Sequence, residues 1–440
     1  MDDHFARDRR FWVLVGHAVV IGLMSGGAAL LFLRLVAVGT QLIWPDEINY
    51  GWMGGSWSWV LVLGLAGLVV GTLRVVLEVP EEISGSLTIV QTASVDRSTA
   101  LQAIGISLVS LVGGSSLGPF DAAVRSGAAV GDWVGVNRRL PEEDREVDVV
   151  SGISGSLGGM LTAAFLATLF VTELRWMEKK RYFRVLIPSL TAAIAGFVIV
   201  FAFIGDTFLG VFSLPTYEIE LWHFAAAIAL GFLGATLSWL LGLTVFALRR
   251  WLIPLVDHRV LRATIGGVAL GIAAMLLPLT LASGKGQLSE AIADFEQLGV
   301  AVLVASVLVK ILTVGISLTT GFIGGPVMPT LFIGGAAGLA VHAIVPEVPI
   351  ALAFSCMLVA VPGVSLGAPF TMLFLVALTV GLGAVEATPA GLAVLTAYTL
   401  NAGMGWFGLP SDKSKVDIDD PNVQTELFEL GEVPPPPDGG

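Results

Sequence analysis

Three short stretches of this chain hold residue types that could keep a negative ion in apolar surroundings without a formal positive charge. They are Gly325-Pro326-Val327-Met328-Pro329, Gly118-Pro119-Phe120-Asp121 and Ser84-Gly85-Ser86. The first amides of a helix have no partner within it, and the aligned peptide dipoles place about half a positive charge there. A Lys or Arg would grip the ion harder than rapid passage allows. Such a site needs Gly for close approach, Pro in the first helical turn and an apolar helix behind. Gly325–Pro329 runs on through TLFIGGAAG and meets all three needs. Gly118–Asp121 opens a Gly- and Ala-rich stretch, and Ser84 and Ser86 add hydroxyl donors.

The elements that carry these stretches belong in a membrane. Of 440 residues, 55% are hydrophobic and 13% charged, against about 25% charged in soluble domains, and the mean hydropathy is +0.86. No Asp, Glu, Lys or Arg interrupts 11–33, 48–73, 98–120, 149–172, 185–205, 221–248, 263–284, 311–346, 348–385 or 387–411. A span takes roughly 20 such residues and must satisfy its own backbone, so these runs predict helices, the longest holding more than one each. Gly clusters, often with Pro, at 113–118, 152–159, 321–329 and 363–369. Breaks of this kind are tolerated in a membrane only where they are buried in protein or line a cavity. When they recur in both halves of a chain they point to an ion site. A single Gly more often lets two helices pack closely.

Arg7, Arg9 and Arg10 precede the first run and place the N-terminus in the cytoplasm. The run 11–33 reads as a first span, because no small-residue cleavage site follows it. Trp44, Trp52, Trp57 and Trp59 suit an outer interfacial belt, and Arg175–Arg184 a solvated cytoplasmic helix end. About half of the net charge of -12 comes from the acidic end of the chain. The single cysteine, Cys356, excludes intrachain disulfides and cysteine metal clusters.

The motifs resemble those of the chloride channel/transporter (CLC) family. Gly325–Pro329 is similar to the family's Gly-X-Phe-X-Pro, with Val327 in place of Phe, and Lys310 sits where a basic residue is common. In GGSSLGPFDAAVRSGAAVGDWVG, alignment on Ser126–Gly131 puts Gly118 on the first Gly of the family's gating motif. Pro119 then falls on the basic position and Phe120 on the gating glutamate. Alignment on Gly118-Pro119 instead puts Leu117 there, and both residues are apolar. Asp121 is the nearest carboxylate, but on a helix it points about 100° away from Phe120. Pairing with Arg125 at i, i+4 is the simpler role for it. Ser84-Gly85-Ser86 resembles the family's Gly-Ser-Gly-Ile-Pro, Glu173 ends a Phe-X-X-Glu, and Leu174 falls near the internal proton-accepting glutamate. Phe407 is a loose counterpart of the tyrosine that closes the inner end of the pathway.

The resemblance implies an all-α polytopic membrane protein of many tilted and broken helices in two inverted halves, roughly 12–205 and 221–409. Residues 1–11 form a cytoplasmic N-terminus and 410–440 a disordered acidic, Pro-rich cytoplasmic tail. It also implies a homodimer in the inner (plasma) membrane, paired through 149–172, 185–205 and the helices after Gly367. The cargo it implies is a small inorganic anion, chloride foremost, and no cofactor, metal or nucleic acid is called for. With no carboxylate at either proton position, tight proton coupling is not expected. A proton-coupled antiporter and a non-conducting scaffold of the same fold remain open. A membrane-embedded enzyme would need paired catalytic groups within the spans, and a cation-coupled carrier intramembrane carboxylates; both are scarce. His17, His223 and His342 lie in apolar runs and read as packing or interfacial residues rather than as ligands or relays.

Overall fold

The computed structural model describes residues 9–44, 56–81, 83–175, 179–204 and 211–404. Among them stand two sets of eight helices. The first set is α1 (Arg9–Ile43), α2 (Ser58–Val76), α3 (Ser86–Thr92), α4 (Arg97–Val112), α5 (Phe120–Asn137), α6 (Glu142–Met160), α7 (Ala164–Leu174) and α8 (Lys179–Ile204). The second is α9 (Leu221–Trp251), α10 (Arg259–Leu276), α11 (Lys285–Ala293), α12 (Phe295–Thr319), α13 (Val327–Ile344), α14 (Ile350–Ser365), α15 (Pro369–Val380) and α16 (Ala387–Met404). Seven of these have the length and apolarity to cross a membrane.

The two sets pack alike. Helix α6 lies against α1, α5, α7 and α8, as α14 lies against α9, α13, α15 and α16. Helix α1 also meets α4 and α8, as α9 meets α12 and α16. The short α3 leans on α5 as α11 does on α13. Every helix thus has its counterpart eight places on. Across the halves, α2 packs on α10 and α7 on α15, each with its own counterpart, as a two-fold relation between halves requires.

Small residues make this packing possible. A Cβ on Gly196 of α8 would run into the Gly155 backbone of α6, and one on Gly22 of α1 into Ala192 of α8. Helices this close gain dispersion contacts along their whole length, which is how helices associate once water is excluded. Outside, large apolar side chains stand exposed, such as Leu65 at 60%, Phe203 at 68% and Phe246 at 64%. A patch of that extent fits lipid rather than water.

Several apolar runs are divided as their length requires. The run 311–346 holds the end of α12 and all of α13, with a break at 320–326, and 348–385 holds α14 and α15. The run 149–172 breaks at 161–163, where Thr162 has φ +48°. One expectation fails here. From Val147 to Gly159 every residue of α6 is buried within the chain, so α6 offers no face to a second copy. Only α7 reaches outward, with Phe165 exposed. Four helices enclose α6, and nothing in a hydropathy profile distinguishes lipid from protein as its neighbour.

Candidate functional site

The two Gly-Pro breaks meet at the centre. Gly118 donates its amide to the Gly325 carbonyl at 2.8 Å, and Gly325 donates back to Gly118 at 2.8 Å, an isolated antiparallel bridge. Pro119 then caps α5 and Pro326 caps α13, neither with a side-chain hydrogen bond. The first amide that bonds back into α5 is that of Ala123, to the Pro119 carbonyl. In α13 it is that of Thr330, to Pro326. The amides of Val327 and Met328, and of Phe120, Asp121 and Ala122, are therefore the open donors of two helix starts held side by side. A Cβ on Gly325 would lie 2.7 Å from Phe120 Cβ and 3.0 Å from the Asp121 amide, and one on Gly118 3.2 Å from Met328 Cγ. The close approach requires glycine at 325, whereas at 118 it leaves an added Cβ in tight contact with the Met328 side chain. Pro329 follows as the third residue of α13, where its missing N–H costs nothing.

The bridge sets Phe120 opposite in rank to Val327, each two residues beyond its glycine. Phe120 is buried with its ring edge-on to Phe170 of α7, 5.0 Å between centroids. Leu117 precedes the bridge, fully buried, in contact range of Gly324. Asp121 is not free. Arg125 Nε donates to it at 2.6 Å, both side chains are buried, and the same guanidinium donates to the Ser84 carbonyl at 2.7 Å. This i, i+4 pair ties the third stretch to α5. Ser84 and Gly85 are exposed, whereas Ser86 is buried as the first residue of α3 with Gly85 as its cap. Three helix starts, those of α3, α5 and α13, are thus joined through Arg125 and the Gly118–Gly325 bridge.

Lys310 does not reach out to an interface. It is fully buried in α12, donates to the Ala282 carbonyl at 2.6 Å and the Thr280 carbonyl at 3.1 Å, and lies 5.1 Å from the centre of the Phe332 ring of α13. Among the described residues no carboxylate pairs with it. One turn on, Thr313 bonds Ser116 at 3.1 Å, and the Ser116 amide donates to Ser317 at 3.2 Å, which fixes the loop leading into Gly118. Sequence reasoning missed this pair of hydroxyls. Their i, i+4 spacing within an apolar run is the signal that could have found them.

Glu173 at the end of α7 accepts from the amides of Phe370 and Thr371, both at 2.7 Å, and from Thr371 Oγ1 at 2.5 Å, so it caps α15. The adjacent Leu174 is half-buried. Arg175 pairs with Glu146 and Arg184 with Asp144, so the basic cluster meets the acidic first turn of α6, a correction to its reading as a solvated end. The histidines also have partners. His223 completes a capping box with Glu220, and His342 lies 2.7 Å from the Val348 carbonyl. His17 stands 3.4 Å from Asp148, a neighbour on another helix that sequence spacing could not show. Phe407 and the acidic tail lie outside the described residues.

This architecture defines a class: a polytopic helical membrane protein of two like halves whose interrupted helices start together at the centre. The family model described as voltage gated chloride channel matches residues 78–402. The chain belongs to that family, the CLC family, whose members are membrane-embedded anion transporters rather than enzymes. Its sequence is 24% identical to YfeO of Escherichia coli O17:K52:H18, a protein provisionally assigned to ion transport, over 81% of this chain and 85% of that one. It is 29% identical to YfeO of Salmonella newport over 80% and 85%. The fold matches a slow cyanobacterial Cl−/H+ antiporter with TM-score 0.76 and 17% identity, over 95% of this chain and 97% of that one. It also matches a CLC-type fluoride/proton antiporter with TM-score 0.73 and 18% identity, over 88% and 95%.

Proposed function

We propose that the chain carries small inorganic anions, chloride foremost, along a route lined by the starts of α3, α5 and α13, without tight proton coupling. The single observation that carries this reading is the Gly118–Gly325 bridge, which sets two uncapped helix starts together where a bare anion can be held by amides alone. The residues we assign to the anion are Ser84, Gly85, Ser86, Gly118, Pro119, Phe120, Asp121 and Gly325–Pro329, with Lys310 as supporting charge. Absence of coupling is supported by the apolar Phe120 and Leu174 and by the engagement of Asp121 with Arg125. A proton crosses an apolar barrier only through acceptors. We further propose two inverted halves, a homodimer paired through the outer faces of α7, α8, α15 and α16, and a plasma-membrane location with both termini cytoplasmic. Exposed Phe165, Ile194, Phe370 and Phe374 on those helices support the pairing.

A second reading is proton-coupled antiport, which the two solved structures named above favour because both are proton antiporters. Flux of chloride, fluoride and nitrate from liposomes, with pH recorded at the same time, separates the readings. The expected result is anion movement with no fixed proton ratio. A constant proton counter-flux establishes the second reading, and no flux of any anion would make the molecule a scaffold.

A further inference from the structure

A second polar centre lies apart from the helix starts, between α1, α6 and α8. Asp148 of α6 is fully buried and neither of its carboxylate oxygens has a hydrogen-bond partner, and its nearest charged partner is His17 of α1, with Nδ1 3.4 Å from Oδ2. His17 Nδ1 has no hydrogen-bond partner either, and its side chain is 16% exposed. Ser151, one turn beyond Asp148, and Ser189 of α8 hold buried hydroxyls that also lack partners. The close contacts of Gly22 with Ala192 and of Gly155 with Gly196 bring the three helices together one to two turns further along.

The remaining charges nearby are engaged or repulsive. Asp144 acts on Asp148 from one turn earlier but is paired with Arg184 of α8, and Arg138 at the end of α5 acts on His17. Asp132 of α5 is held by Arg97 of α4 and Arg145 of α6. Arg125 of α5 is held by Asp121, and Glu173 of α7 by α15. The ion pair that Asp148 makes is with His17. An enclosed carboxylate alone, or an enclosed imidazolium alone, is strongly disfavoured. The composition that avoids both is one proton held jointly by the two groups.

We infer that His17 and Asp148 form a proton-binding site, separate from the anion route, through which pH acts on α5. The ligand is a single proton that enters past the partly exposed imidazole. The connection to α5 is direct, because a Cβ on Gly131 would run into the Asp148 carbonyl oxygen and Gly127 meets Gly152 one turn on. Helices in backbone contact have no side chain to absorb a shift between them, so a movement of Asp148 is passed to the helix whose start faces Gly325. Such a site modulates transport without contributing a stoichiometric proton, and it goes beyond the transport reading.

The test uses the full chain labelled with 15N-histidine in micelles, with His17 assigned by its loss in H17Q. In the wild type the His17 ring signals are expected to shift in one step within about pH 5–8, the range in which an imidazole titrates, and in D148N that step is displaced or lost. Identical His17 behaviour in the two proteins overturns the inference. H17Q itself gives a reading that does not need D148N to fold: the proton then rests on Asp148, and a protonated-carboxyl infrared band persists at neutral pH. Its absence overturns the inference as well. Anion flux in liposomes supplies the functional arm, where D148N is expected to flatten a pH dependence of about fivefold, the low end of ordinary coupling between sites. An unchanged pH profile overturns the link to α5, whereas loss of all flux in the wild type bears on the transport reading alone.

Discussion

The starts of α5 and α13 occupy equivalent places in the two halves, yet they are held in different ways. Each follows a Gly-Pro break, each lacks a side-chain cap, and each glycine bonds the other's backbone. On α5 the first turns carry the buried Asp121–Arg125 pair, which also grips the Ser84 carbonyl. On α13 the same turns carry Met328 and Phe332, and the nearest charge is Lys310 on the neighbouring helix with carbonyls and a ring for company. One start is fastened by a pair of opposite charges, the other by apolar packing beside a lysine that has no acidic partner among the described residues. The backbone frame is common to both halves, and the field around it differs between them. An anion held between the two starts, as we propose, would meet amides on both sides and the Lys310 amine on one.

Breaking the first fastening should have the largest effect. D121A leaves Arg125 buried without its partner and is expected to lower stability by about 3–5 kcal/mol. The double replacement D121L/R125M recovers most of that loss, and denaturant midpoints of the two variants decide the matter. If the losses simply add, the pair is not the fastening described.

The bridge itself comes next, and the two glycines should not respond alike. G325A pushes a Cβ against Phe120 Cβ and the Asp121 amide, at an expected cost of about 1–3 kcal/mol with loss of anion flux. G118A meets only the Met328 side chain, which is flexible, so its cost stays below about 1 kcal/mol. Equal effects in thermal melts and flux assays would contradict the asymmetry.

Lys310 sharpens the electrostatic half of the comparison. K310M should slow flux roughly tenfold if the cation contributes about 1.4 kcal/mol to holding the anion. K310R, which keeps the charge, should lose less. Identical flux in K310M and wild type would reduce the lysine to a brace for the Thr280–Ala282 turn. The smallest effect belongs to S86A, which removes one hydroxyl at the third helix start. A loss of about 0.5–1.5 kcal/mol in anion affinity, read from the concentration dependence of flux, is the expected outcome.

Much of the architecture was legible in the sequence, and for definite reasons. Long uncharged runs had to be helices because hydrocarbon offers no partner for a free amide. The Gly-Pro positions near 118 and 325 stood out because Pro cannot continue a helix and Gly admits close contact, and the structure joins those two positions. Other features were hidden. Nothing in the run 149–172 tells that α6 is enclosed on all sides while α7 faces outward. The role of Glu173 at α15 joins residues 197 apart in the chain, and no local pattern marks it. The pairing of His17 with Asp148 was hidden because helical spacing only relates residues on one helix, and these two sit on different ones.

By itself the sequence determined that this chain lives in a membrane, that it is helical, where its helices must stop, and that it resembles one family of anion transporters. Those features depend on hydrophobicity and backbone hydrogen bonding, which act locally and leave marks in composition and spacing. Tertiary structure alone decided that two breaks 207 residues apart bond each other, that Asp121 is occupied by Arg125, and that Lys310 has no acidic partner among the described residues. Coulomb forces and close packing depend on distances between helices, and those distances come into being only when the halves fold together.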